Sequence, residues 1–304
     1  MIDKKGIPLV FRNTTRESGF SGLLGMDYFP KSGMIRTMKI TILLENSDGN
    51  NGCAFEHGLS VYIETARHRI LADTGASGKS IENAALLGID LSKVDLVFLS
   101  HGHYDHSGGI LDFYKLNKTA PVYMQKTAVL EYYSGEKFIG IAPEIKDLPT
   151  VHFLDGNYKV DDEVEFFSGV VERRYWPSGN FTMARKEGDS MVPDTFDHEQ
   201  SLVIHGEKEV LVCGCAHCGI LNILDKYRSL FGRDPELVIG GFHMMKKTDY
   251  TEEEKELVIR TAEELAQMDT VFYTGHCTGG KALSLMSPIL SEKLIPLYSG
   301  MEVL

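Results

Sequence analysis

From Leu96 to Ile110 the chain reads Leu-Val-Phe-Leu-Ser-His-Gly-His-Tyr-Asp-His-Ser-Gly-Gly-Ile. The mostly apolar run from Val94 to Leu99 predicts a buried strand. Gly108 and Gly109 permit a tight turn before a helix running through Leu116. His101, His103, Asp105 and His106 therefore sit on a loop anchored by that strand. Four metal-capable side chains within six residues form a ready ligand set. Imidazole and carboxylate together suit zinc, iron or manganese.

The pattern recurs. Val210-Leu-Val-Cys-Gly-Cys-Ala runs into His217, Leu237-Val-Ile-Gly-Gly-Phe into His243, and Val271-Phe-Tyr-Thr-Gly into His276. Each is a strand that ends in small residues and then presents a histidine. Ligands of α/β sheets gather outside the carboxyl ends of strands, so four such ends can supply one cleft. His217 and His276 are metal-ligand candidates on this reading, and His243 a candidate for contact with substrate or metal. His57, in Glu56-His-Gly-Leu-Ser60, is a candidate for the cleft rim and the substrate. His68, His152, His198 and His205 have bland contexts and read as surface or core residues.

Cys213, Cys215 and Cys218 lack the second pair that a zinc knuckle needs, so no separate structural zinc is expected. Cys213 reads as core, Cys215 as a candidate thiolate ligand, and Cys277 as a neighbour of the site. Asp73, ending a strand in Ala-Asp-Thr-Gly, reads as a carboxylate that orients the His101 loop from behind.

Elsewhere Met38 to Glu45 predicts a first strand, Leu59–Glu64 with Arg69–Asp73 a hairpin, and Ser80 to Leu87 a helix. A short strand follows at Pro121–Met124, with strand-like pieces at Thr150–Leu154 and Glu163–Phe167. Trp176 to Asp197 reads as a long loop, a feature that is often functional. Ser201–His205 and Val210–Gly214 predict a second hairpin. Helices are expected at Ile220–Phe231, Glu252–Met268 and Ala282–Leu290, with strands at Leu237–Gly241, Val271–Gly275 and Leu294–Tyr298. Residues 1–37 show no clean period and read as an irregular extension, and residues 38–304 as one layered domain of sheets flanked by helices.

A net charge of −12 argues against a broad nucleic-acid-binding or acidic-membrane surface, while leaving room for a local basic pocket for one phosphate. No apolar run approaches the roughly 18 residues of a membrane span. No apolar core follows Lys4-Lys5, so a secretory signal is not expected. Five cysteines, an odd number clustered late, fit a reducing cytoplasm better than a disulfide framework.

These motifs resemble those of the metallo-β-lactamase superfamily. Glu56-His-Gly-Leu-Ser60, Ala72-Asp-Thr-Gly75, the His101 loop, Gly214-Cys-Ala-His-Cys-Gly-Ile-Leu-Asn222, Gly240-Gly-Phe-His243 and Gly275-His-Cys-Thr-Gly279 resemble one branch within it. That branch is the 7,8-dihydropterin-6-methyl-4-(β-D-ribofuranosyl)aminobenzene 5′-phosphate synthase-like proteins, and the likeness spans roughly residues 38 to 304. It implies an α/β (α+β) fold, a four-layer αββα sandwich with a binuclear site between two mixed sheets. His101 and His103 would bind one divalent ion, and Asp105, His106 and His276 the other. Zinc is the first expectation, iron or manganese the alternatives. The superfamily's usual third histidine has no clear match between residues 107 and 209, and its bridging aspartate position falls at Cys215. His217 is a candidate for one of these roles.

The implied activity is metal-dependent hydrolysis of a phosphate ester or a similar ester-like bond in a small, phosphorylated substrate. A hydroxide held by the metals would be the nucleophile. Asp105 would position it, and His243 would contact substrate or protonate the leaving group. The branch's name implies an alternative, a pterin-related synthase. That reaction needs an aromatic face, for which Trp176, Tyr175 and Phe181 are candidates. A diiron redox protein is a third reading, although no flavin or dinucleotide fingerprint is present. A non-catalytic ligand-binding protein is a fourth.

Overall fold

Residues 38–304 are described by the structure, a computed structural model. The extension expected over residues 1–37 lies outside the described residues. Two large sheets face each other. The first has the order Lys39–Leu44, Ser60–Glu64, Arg69–Ala72, Leu96–Phe98, Val122–Gln125, Val151–Leu154. Its first two pairings are antiparallel and its last three parallel. The second has the order Leu294–Pro296, Val271–Thr274, Leu237–Gly240, Val210–Val212, Gln200–Ile204, Val164–Ser168, Tyr158–Lys159. Its first three pairings are parallel and the remainder antiparallel.

Side chains of the central strands are buried on both faces. Leu96 and Phe98 meet Val210, Val212, Leu237 and Ile239 in the layer between the sheets. Val97 points the other way, into a layer with Ala84, Ile110 and Phe113 of the helices Lys79–Leu86 and Ile110–Leu116. Leu211 and Val238 likewise face the helices Ile220–Phe231, Glu252–Ala266 and Gly279–Leu290. Double burial is why these strands read as continuous apolar runs rather than alternating ones. Each fully buried aliphatic side chain contributes about 1.5–3 kcal/mol, so the strand ends are held firmly. Helix, sheet, sheet and helix make the expected αββα sandwich.

Two expectations need correction. The loop carrying the histidines contains a short helix, Tyr104–Ser107, ahead of the expected helix, which runs Ile110–Leu116 after the glycine pair. The stretch read as a long loop contains a hairpin, Met183–Glu187 with Ser190–Pro193, which joins Tyr132–Ser134 and Lys137–Phe138 in a four-stranded sheet. Its strands are partly or fully exposed, so their ladder hydrogen bonds leave no apolar period to read. Among the described residues no helix is long and apolar enough to cross a membrane.

Candidate metal centre

The parallel strands of both sheets deliver the chemistry at their carboxyl ends. Arg69–Ala72 leads to Asp73 and Leu96–Phe98 to the His101 loop, while the second sheet delivers Cys215, His217, His243 and His276. All but His243 are nearly or fully buried. Of eight non-glycine residues with positive φ among the described residues, four are Asp73, Ala216, His243 and His276. Such strained backbone persists where the surrounding structure over-determines it, commonly at functional sites.

Two clusters form. In one, ligand atoms of His101, His103 and His217 lie within 4.8 Å of one another. In the other, Asp105 Oδ2 lies 3.4 Å from His276 Nε2 and 3.9 Å from His106 Nε2. His106 Nε2 is also 3.2 Å from Cys215 Sγ and from His276 Nε2. His106 and His101 adjoin, with ring centroids 4.2 Å apart.

The hydrogen bonds behind these rings decide which nitrogen of each is free. His106 Nδ1 lies 2.6 Å from Asp73 Oδ2, which only accepts, so the ring's proton is on Nδ1. Ser100 Oγ donates to the same Asp73 oxygen at 2.7 Å and so must accept from His101 Nδ1 at 2.9 Å. Asn180 donates its amide N–H to the His217 carbonyl at 2.7 Å, which turns Oδ1 toward His217 Nδ1 at 3.3 Å. His276 Nδ1 donates to Asn46 Oδ1 at 2.9 Å. In their neutral forms all four rings therefore carry the lone pair on Nε2, and His103 Nε2 is buried with no hydrogen-bond partner among the described residues.

The lone pairs meet. His101 Nε2 and His217 Nε2 are 3.2 Å apart, with no proton to lie between them. Burial first, then neighbouring histidines, pushes both imidazoles well below their ordinary range. His103 is pushed down to about 3 by burial and His198. At the second cluster burial depresses His276 to about 4. Burial also opposes charging of His106, but Asp73 and Asp105 outweigh it and raise that imidazole. One shared proton is thus the most the metal-free His106–His276 contact can hold. For Asp105 burial acts upward, yet His106, His276 and His57 prevail and hold the carboxyl well below its usual range. Neutral imidazoles with converging lone pairs, an ionised carboxylate and a thiol fit borderline divalent cations such as zinc or iron.

Several positioning groups escape the sequence reading. Glu199 accepts the backbone N–H groups of His217 at 2.6 Å and Cys218 at 2.8 Å, and Glu45 accepts that of His276. His198, expected to be bland, is fully buried. Its Nδ1 accepts the Gly102 N–H at 2.9 Å and its Nε2 donates to Asp194 at 3.2 Å, clamping the turn between His101 and His103. A Cβ on Gly102 would lie 2.2 Å from the Ala128 carbonyl oxygen. Gly102→Ala is therefore expected to cost about 1–3 kcal/mol, the usual range for overpacking, read as a lower urea midpoint at unchanged slope.

Above the clusters is a cavity of about 750 Å³, whose walls include His57, His103, Asp105, Cys215, His217 and His243. Ser134, Lys137 and Met183 of the four-stranded sheet close one side, and Lys246 and Lys247 another. His57 sits at the rim, its side chain 44% exposed. The His243 ring lies 4.0 Å from that of His217, and burial holds it down to about 4. Trp176, a candidate for the substrate face, does not line this cavity. It packs on Phe196 beneath the Arg173 guanidinium, anchoring its own segment. Phe181 points to solvent at 80% exposure. Cys213 is core as expected, and Cys277 donates to the Cys215 carbonyl at 3.4 Å. All five cysteines are free thiols.

Residues 54–260 match the family model of the metallo-beta-lactamase superfamily. An uncharacterized protein of Methanocaldococcus jannaschii is 30% identical over 257 residues, covering 82% of this chain and 94% of that protein. The 7,8-dihydropterin-6-methyl-4-(beta-D-ribofuranosyl)-aminobenzene-5′-phosphate synthase of the same organism is 27% identical over 290 residues, covering 88% and 97%. A solved metal-dependent hydrolase of the beta-lactamase superfamily superposes with a TM-score of 0.75 at 30% identity, covering 88% of this chain and 99% of that one.

Proposed function

Because this chain belongs to the metallo-β-lactamase superfamily, we propose that it is a metal-dependent hydrolase of a phosphate ester or related ester-like bond in a small anionic substrate. The observation that carries this reading is the contact between the lone pairs of His101 and His217, 3.2 Å apart beneath a lysine-rimmed cavity. His101, His103 and His217 would hold one ion, and Asp105, His106 and His276, with Cys215 beside them, a second. Two such ions supply Lewis-acid polarisation of the scissile bond and a water acidic enough to attack near neutral pH.

The chain's own groups do the rest. Asp73 and Ser100 keep the Nδ1 protons of His106 and His101 turned away from the site, so both rings stay available as ligands. Asp105 keeps a negative charge at the cavity floor. His243 is neutral near pH 7, so it serves as a hydrogen-bonding contact for substrate rather than as the acid that protonates a leaving group. Lys137, Lys246 and Lys247 make a local positive rim on a chain of net charge −12. Lys246 is tied to Glu254 at 2.6 Å and Lys137 lies 4.4 Å over the Tyr104 ring, whereas Lys247 is exposed.

A charge-assisted hydrogen bond is worth about 1.5–3 kcal/mol. Lys247→Ala is accordingly expected to raise KM for a phosphoester about tenfold or more with kcat little changed. Equal kcat/KM for phosphorylated and uncharged esters would remove the phosphate from this reading. The Methanocaldococcus relative's name favours a second reading, condensation of a dihydropterin with a ribofuranosyl aminobenzene phosphate. Trp176 and Phe181 do not offer that reaction a stacking face on the cavity. Product analysis with a pterin pyrophosphate donor separates the two, since phosphate release without a coupled pterin product leaves only hydrolysis.

A further inference from the structure

His57 differs from the ligand histidines in where its proton must lie. The difference traces to Asn46, which follows the Lys39–Leu44 strand by two residues. The Gly58 backbone N–H donates to Asn46 Oδ1 at 3.2 Å, and Asn46 Nδ2 donates to the His276 carbonyl at 3.3 Å. A backbone N–H can only donate and a carbonyl only accept, so these two contacts fix which end of the amide is oxygen. The same oxygen lies 2.9 Å from His276 Nδ1 and takes that ring's proton. The same nitrogen lies 3.2 Å from His57 Nδ1 and gives it its second hydrogen. His57 Nδ1 is therefore the bare nitrogen, and its proton is on Nε2, which faces Asp105 Oδ2 at 3.2 Å.

We propose that Asn46 sets opposite tautomers on two stacked imidazoles, leaving His276 Nε2 free for a cation and making His57 a fixed hydrogen-bond donor that orients the Asp105 carboxylate. The two rings stack with centroids 4.9 Å apart. His57, Asp105 and His276 are close enough together to be taken as one ligand set, yet His57 in this tautomer has no lone pair to offer there. It is a positioning residue. Its donor N–H fixes Asp105 in the rotamer that reaches the His106–His276 side of the site, as the outer partners of metal ligands do. The proposal rests on the reading of Asp105 as a ligand only for its consequence, not for the tautomers themselves.

Long-range proton–nitrogen NMR of the full chain with labelled histidine tests it, with His57→Gln used to assign the His57 signals. The metal-free and zinc-loaded wild type are expected to show His57 as Nε2–H and His276 as Nδ1–H. In Asn46→Asp the new carboxylate accepts from both rings, so His57, then between two carboxylates, should keep Nε2–H and gain an Nδ1 proton while His276 stays as it was. Zinc affinity should fall about tenfold or more in His57→Phe. His57→Gln, which keeps a donor, should retain more affinity than His57→Phe, which has none. His57 found as Nδ1–H or doubly protonated in the wild type would overturn the proposal, as would a His57 Nδ1 still without a proton in a folded Asn46→Asp protein. Absence of zinc binding would instead remove the hydrolase reading, while the metal-free spectrum still decides the tautomers.

Discussion

Asp105→Asn is expected to lower hydrolysis by more than about 100-fold while leaving the chain folded. Asparagine keeps the shape and volume of the side chain but not its charge. The Asp105 carboxylate faces three imidazoles, His57 at 3.2 Å, His276 at 3.4 Å and His106 at 3.9 Å. Loss of a partner behind a ligand costs about 10–100-fold in affinity or activity, and loss of an anionic ligand should exceed that range. Metal content should fall by one ion per chain, because the first cluster keeps His101, His103 and His217. The check is kcat/KM together with metal content on protein of native melting temperature. A variant that kept both ions and hydrolysed within about tenfold of wild type would remove Asp105 from its assigned role.

Chelation is expected to destabilise the protein strongly and to make its stability depend on pH. A ligand at 1,000 times its dissociation constant stabilises the folded state by roughly 4 kcal/mol, which for a chain of this size is roughly 10 °C of melting temperature. The pH effect follows from the buried imidazoles. In the metal-free fold His103 is held to about 3 and His276 and His243 to about 4, with His101 and His217 well below their ordinary value. Unfolded histidines titrate near 6.5. Below that pH the unfolded state binds more protons than the folded one, so stability falls as pH falls. Each such histidine adds a slope of up to about 1.4 kcal/mol per pH unit until the pH reaches its folded value. Melting of the chelated protein from pH 7.5 to 5 should show this decline, and bound metal should suppress much of it above about pH 6. A flat profile for the chelated protein would mean that these imidazoles are not buried in the neutral form.

The sandwich and much of the site were legible in the chain for one physical reason. Strands buried on both faces write themselves as unbroken apolar runs, so the endings at His101, His217, His243 and His276 stand out against them. The recurrence of small residues before each histidine pointed to a common edge, and the structure gathers all four there. What lies behind the candidate ligands was not legible. Glu45 and Asn46 reach His276 from about 230 residues away in sequence, and no local period marks such a contact. Glu199 had one faint signal, a carboxylate abutting the fully buried strand Gln200–Ile204. A charge in that place must find partners, and it finds the amides of His217 and Cys218.

The middle of the chain misled for the opposite reason. Met183–Glu187 and Ser190–Pro193 form strands with little burial, so their polar composition resembles a loop, and the aromatic residues nearby look like a binding face. In the fold Trp176 is committed to Phe196, and the hairpin gives only Met183 to the wall of the cavity. His198 was missed because a histidine without neighbouring ligands has no distinguishing context. Only the fold brings Asp194, Tyr132 and the Gly102 amide around it.

The most direct measurement is the metal content of freshly purified full-length chain, set beside that of His101→Asn and Asp105→Asn proteins of native melting temperature. Two divalent transition-metal ions per chain are expected in the wild type, with each variant losing one ion from its own cluster and keeping the other. A wild type that emerges without metal and takes up none when offered zinc, iron or manganese would rule out a metal centre at these strand ends.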